Sequence, residues 1–218
     1  MAMRNIAMSA PILVSLLAFA GQGTTQIVRA GNGAPQPAGA VERAYTPLDL
    51  KKCQHKPGRE VEDYGTWRCS GHDGVAVFVG GGDQRSYVSF GPNAANERAF
   101  QQTLGAFNSH GKTIEWRIER LPNGKTRPFA TILRWSTTTL DKDDNSVSGQ
   151  VLVVTRLGPG GVCHVGYVDG RANPNANELA VQIADNHARG FKCGKDKAIM
   201  LGAQGPGFSG PYGEELIQ

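Results

Sequence analysis

The chain is short of the features that commit a protein to a known chemistry. It has no G-x-S-x-G turn to raise a nucleophilic serine, and no H-E-x-x-H pair to hold zinc on one helix face. Its 23 Lys and Arg are interleaved with 19 Asp and Glu rather than gathered into a block. The electrostatic footprint of a nucleic-acid binder is therefore missing, and only a weak, unspecific attraction to an acidic envelope surface remains. Beyond the first twenty residues no apolar run approaches the ~20 residues that a bilayer crossing needs. Cysteine is scarce too, with four in 218 residues.

What is present begins at the N-terminus. Arg4 precedes an uncharged apolar run, Ile6 to Phe19, and Ala18-Phe19-Ala20 has the small-residue spacing of a signal-peptide cleavage site. Residues 1–20 are read as a secretory signal peptide, with a second possible cut after Val28-Arg29-Ala30. Residues 21–44 are rich in Gly, Ala, Pro, Gln and Thr, and are expected to form a flexible leader. Residues 202–218, "GAQGPGFSGPYGEELIQ", are expected to form a flexible tail for the same reason. Between them, residues 45–201 are one domain's worth of chain, enough for a real core. The formal charge of +4 falls by one if Arg4 is removed with the signal.

An even number of cysteines in an exported chain reads first as disulfides. The bridges Cys53–Cys69 and Cys163–Cys193 close the shorter loops and are preferred, each adding roughly 3 kcal/mol by the chain-entropy argument. The rival is zinc: Cys53, His55, Cys69 and His72 make a Cys2His2 set, although C-x-H…C-x-x-H is not a finger spacing. A third histidine follows a cysteine in "GGVCHVGYVD", Gly160 to Asp169. In a regular strand Cys163, Val165 and Tyr167 would share one face, and Val162, His164, Gly166 and Val168 the other. Cys163 and His164 then point apart and cannot work as nucleophile and base. His164 is expected to be a packed strand residue.

The rest of the domain reads as hairpins and helices. Val75–Val79 and Ser86–Phe90 flank the turn "GGGDQR". "PNAANERAFQQTLGAF" predicts a helix capped by Asn93, with Ala99, Phe100, Thr103, Leu104 and Phe107 on one face. "TIEWRIER" alternates, putting Ile114, Trp116 and Ile118 inward and Glu115, Arg117 and Glu119 on a solvated face. It pairs with "FATILRWS" across Asn123-Gly124, and "QVLVVTRL" follows the polar turn "DKDDNSVSG". "NPNANELAVQIADNHARG" predicts a second helix, capped by Asn173, started by Pro174 and closed by Gly190, with a stripe of Leu179, Ala180, Ile183 and His187. The likeness of "PNAANERA" to "PNANELA" admits two β-β-α units. The expected fold is α+β: an antiparallel sheet of about six strands with two helices on one face.

No other motif carries chemistry far. Asp141, Asp143 and Asn145 mimic the start of a calcium loop, but Ser146 stands where that loop needs Gly and Leu152 where it needs Glu. "GPGGVCHVG" runs from strand to strand and lacks the helix of a phosphate cradle. Glu60/Glu62 and Glu115/Glu119 read as solvated charges. Trp67-Arg68, Trp116-Arg117 and Arg134-Trp135 read as inward tryptophans beside outward arginines. "YTPLDLKKC", "GTWRCSGHDG" and the run from "CHVGYVD" through "NELA" to Cys193 resemble uncharacterised exported proteins of alphaproteobacteria. That resemblance implies a periplasmic home and transfers no catalytic residue.

These readings favour a non-enzymatic periplasmic or secreted binding protein of the cell envelope, with no cofactor and an unknown envelope partner. The alternative is a histidine- or metal-dependent, hydrolase-like envelope enzyme. His55, His72 and His164 gathered in one cleft would favour the enzyme; their dispersal beside an open apolar groove would favour the binder. The mature protein is expected to begin at Gly21 or Gly31. N-terminal sequencing of the envelope fraction checks this, and an intact Met1 would sink it.

Overall fold

A computed structural model describes residues 39–59 and 63–212, all within one compact unit. Those residues form twelve strands in three sheets and one α-helix. The strands are β1 (Val41–Pro47), β2 (Gln54–Lys56), β3 (Asp63–Ser70), β4 (Ala76–Gly82), β5 (Arg85–Phe90) and β6 (Thr103–Leu104). They continue with β7 (Phe107–Arg120), β8 (Thr126–Leu140), β9 (Ser146–Arg156), β10 (Cys163–Asp169), β11 (Ile199–Met200) and β12 (Pro211–Tyr212). The helix α1 spans Ala176–His187. The main sheet has the order β1-β7-β8-β9-β10-β11, antiparallel except for the short β10–β11 pair. A second sheet is β2-β3-β4-β5, and β12 pairs with β6.

The expected α+β arrangement does not form. Only one of the two predicted helices exists, and the 76–90 hairpin joins a separate four-stranded sheet rather than the main one. The fold is three-layered and mostly β, because the central strands carry apolar residues on both faces and need a cover on each. Along β9, Val151 and Val153 join Val77, Val79, Val88, Phe90, Trp116 and Trp135 in one core. Leu152 and Val154 join Ala180, Ile183 and Ala184 of α1 in another. The β4–β5 turn holds Asp83 and Gln84 at φ 45° and 55°, the left-handed pair that a tight hairpin requires.

Residues 93–104 are not a helix. They form two 3-10 turns, Ala94–Asn96 and Arg98–Gln101, broken by extended Glu97 and Gln102. Tertiary bonds hold them open. Glu97 Oε2 accepts the Val162 N–H at 2.9 Å, Ala99 N–H donates to Val162 O at 2.9 Å, and Gln102 Oε1 accepts the His164 N–H at 2.8 Å. A helix would withdraw all three from the start of β10. The echo of two β-β-α units fails with it.

The face expected to be solvated on β7 is not. Arg117 is 7% exposed and bonds Asp185 of α1 through Nε at 3.0 Å and Nη2 at 2.7 Å, and Glu115 through Nη1 at 3.1 Å. Glu119 bonds Arg127 and Arg189. Burial alone would lower the Arg117 pKa, but the two carboxylates outweigh it and raise the value. Breaking such a pair costs more than the pair contributes, since it leaves a buried charge alone. In α1 the buried stripe is Ala176, Ala180, Ile183 and Ala184, while His187 is exposed. Asn173 makes no side-chain cap; its amide instead bonds Asp169 O and Ala203 O.

Both ends depart from the expected bounds. Val41–Arg43, assigned to the leader, begin β1 and pair with Arg117–Glu119. Residues 202–212, assigned to the tail, are a strap fixed by polar bonds that composition does not reveal. Asp169 Oδ2 accepts the Gly205 N–H at 2.8 Å, Thr137 Oγ1 donates to Gly207 O at 2.9 Å, and Ser209 Oγ accepts the Ala106 N–H at 2.8 Å. The signal segment 1–20 and residues 213–218 lie outside the described residues. Gly149 lies against Gly207, and a Cβ there would collide with the Gly207 carbonyl. Gly149→Ala is expected to lower stability by about 1–3 kcal/mol and to speed hydrogen exchange in 202–212. Unchanged exchange in that strap would refute the role given to this contact.

Candidate functional site

The two disulfides are Cys53–Cys69 and Cys163–Cys193, as the loop lengths favour. They mark a chain of an oxidising compartment. No helix among the described residues is long and apolar enough to cross a membrane. With Cys53 and Cys69 joined, the Cys2His2 set has no thiolate to offer. His55 stacks on Trp67 at 4.6 Å, and His72 Nε2 lies 3.3 Å from Asp73. Among the described residues no three His, Cys, Asp or Glu side chains are grouped to hold a metal ion. Asp141 folds its own turn, accepting the N–H groups of Asp143 and Asn145 at 2.9 Å each. In "GPGG" the Arg156 guanidinium donates to the Pro159 and Gly161 carbonyls, so that turn is closed around a cation of the chain itself. Glu60 and Glu62 lie outside the described residues.

His164 is 1% exposed and packed between the two larger sheets. The regular alternation expected for β10 is broken by a bulge: His164 pairs Thr155 and Gly166 pairs Val154, leaving Val165 as an extra residue. Cys163 and Val165 face α1, but Tyr167 is turned to the opposite face, beside His164. Its hydroxyl meets His164 Nδ1 at 2.9 Å, and the Trp135 ring stands edge-on at 6.2 Å. Gly166 follows from the bulge, because a Cβ there would run into the Ile199 carbonyl and Ile183. His164 Nε2 and Trp135 Nε1 are buried without a hydrogen-bond partner among the described residues. Burial pulls the His164 pKa down to about 3, so the ring is neutral at ordinary pH. It is a core histidine, sealed from solvent.

The surface offers a different kind of site. A groove of about 410 Å³ opens among Arg85, Gly105–Phe107, Thr138–Leu140, Ser146 and Ser209. Long strands β7 and β8 supply two walls, since Phe107 opens β7 and Leu140 ends β8. The strap supplies Ser209. Arg85 donates through Nη1 to Asp83 and through Nη2 to Gly105 O at 3.0 Å. Its guanidinium lies 5.4 Å from the Phe107 ring centre and 5.5 Å from that of Tyr212. The cation therefore stiffens the two aromatic rims rather than standing free for an anion.

None of these groove residues is apparent in the chain as a ligand site. Phe107 fits the stripe of the helix that does not form, and Tyr212 lies in a stretch read as tail. The signals are slight: an aromatic in "GFSGPYG", and a leucine placed just before a polar turn. Scans against family models and searches of curated proteins and of solved structures returned no match.

His164 gives a pH test. Its folded pKa is about 3 and its ordinary value 6.5, so across that interval the unfolded chain binds the extra proton. Stability must therefore fall as pH drops from about 6.5 toward 3, by at most ~1.4 kcal/mol per pH unit from this group. His110 is also held low by burial and adds to the slope. Urea unfolding at several pH values should show a shallower slope for His164→Gln than for the parent. Parallel slopes would contradict the neutral buried ring.

Proposed function

We propose that this chain is a non-enzymatic binding protein of the cell envelope, exported to the periplasm or beyond, which engages its partner through the Arg85–Phe107–Leu140 groove. One observation carries the reading. Five large apolar side chains are exposed among the described residues; two of them, Phe107 and Leu140, line this groove, and a third, Tyr212, lies against its Arg85. Leu140 is 64% exposed, a cost in solvation that scattered surface leucines share but a clustered rim turns into a contact surface. The groove's volume falls in the range of preformed binding sites. The histidines that an enzyme would need serve elsewhere: one stacked on Trp67, one beside Asp73, one sealed in the core. The disulfides and the signal-like N-terminus support the compartment.

A photo-cross-linking residue placed at position 140 of the protein in its native cells tests this. The control is position 123, in the turn at the far end of the β7–β8 hairpin. A discrete adduct from position 140, absent from 123 and suppressed by excess unmodified protein, is expected. Equal labelling from both positions, or none from 140, would refute the groove as the contact surface.

A further inference from the structure

Resting on that reading, we propose that the groove takes an extended peptide segment in which basic and aliphatic residues alternate. The walls set the first half of the chemistry. Phe107, Leu140 and Ala106 present carbon, and about 410 Å³ accepts one or two aliphatic side chains rather than a folded partner. The hydroxyls of Thr138, Thr139, Ser146 and Ser209 sit around them. Two are spoken for, since Thr139 Oγ1 bonds Pro206 O at 3.2 Å and Ser209 takes the Ala106 N–H.

Charge sets the second half. The chain carries +4 overall, yet the groove's border is acidic. Leu140 and Ser146 pair with each other at the base of the turn 141–145, so that turn projects from the groove wall. It carries Asp141, Asp143 and Asp144 against Lys142 alone. Lys142 Nζ is bound to Asp143 at 2.6 Å, and Arg85 is held by Asp83. Each border cation is thus matched by one aspartate, and Asp141 and Asp144 leave the border with excess negative charge. Asp144 is exposed and makes no ion pair among the described residues. A ligand that buries an aliphatic side chain beside this border gains by carrying cations and loses by carrying anions. In an extended peptide alternate side chains point to opposite sides about 3.3 Å apart along the chain, which lets an aliphatic residue enter while its neighbours reach the border.

The probe is a fluorescent octapeptide of alternating lysine and leucine, titrated against the full chain by anisotropy. Peptides with serine or glutamate in place of lysine are the comparators. The lysine peptide should bind most tightly. Leu140→Ser should weaken it about fivefold or more, as should Asp143→Asn with Asp144→Asn, and added salt should weaken it further. Both substitutions lie on exposed positions, and circular dichroism confirms that each variant folds. Binding indifferent to Leu140→Ser would reduce the effect to bulk charge and overturn the proposal. If the serine or glutamate peptide binds as tightly and still needs Leu140, the groove stands and the basic partner falls. If no peptide binds while position 140 cross-links in cells, the same holds. If neither occurs, both readings fall together.

Discussion

Strand β10 is buried along its whole length, from Cys163 to Asp169, and most of the molecule is arranged to make that possible. A strand with two covered faces needs partners for the polar groups it carries, because water is not there to supply them, and His164 Nε2 is the one side-chain atom of β10 left without one among the described residues. Cys163 is tied to Cys193, and the His164 N–H goes to Gln102. The Asp169 carboxylate accepts N–H groups from Arg171 and Ala172 through Oδ1 and from Gly205 through Oδ2. Burial alone would raise the Asp169 pKa, but these donors more than offset it and the value is lowered. The same carboxylate that satisfies the end of β10 therefore fastens the strap, and the strap supplies a wall of the groove. A surface site is thus anchored by a core requirement.

The second cover, α1, is held by a mixture of contacts that a plain helix-on-sheet packing would not need. Its alanines give little apolar area, so Ile183 and the Arg117–Asp185 pair share the load of seating it. Arg189 lies with its guanidinium 3.6 Å over the Phe129 ring while bonding Glu119, extending the polar layer past the last turn. Small residues bring the helix close to the sheet, and at Gly166 a Cβ would meet the Ile199 carbonyl of β11 as well as Ile183 of α1, so the absence of a side chain there is a condition of the fold.

How much of this was legible follows from whether the information is local. Hairpins are: their turns sit between alternating strands, and the 76–90 pair, the pair of 113–120 with 129–136 and the strand after the polar turn form as the alternation predicts, although β7 begins already at Phe107, where a helix was expected. Both disulfides follow from short loops. The helix at 176–187 is marked by its own periodicity and by Pro174 ahead of it. The helix expected over 94–107 has similar local marks and fails, because Glu97 and Gln102 are needed at the start of β10, some sixty residues away in sequence. Tyr167 leaves the face expected for it for a related reason: a bulge is set by what packs above it, not by the strand's own alternation. Two-sheet layering is equally invisible, since nothing in Val77 or Val88 says which sheet they will face. The strap was lost to composition, because glycine and proline describe a chain that is free until Asp169 and Thr137 hold it.

Those same glycines explain why a groove can exist where it does. Gly207 allows the strap to lie directly on Gly149, and Arg85 bonds the Gly105 carbonyl between Phe107 and Tyr212. Larger side chains at 149 or 207 would lift the strap. Tyr212 would then be drawn off the Arg85 cation. A groove built on bare backbone is rigid beneath and apolar above. Its shape is fixed by the sheet, and the side chains that stand clear of it are few: Leu140, the two rings, and the aspartates of the adjoining turn.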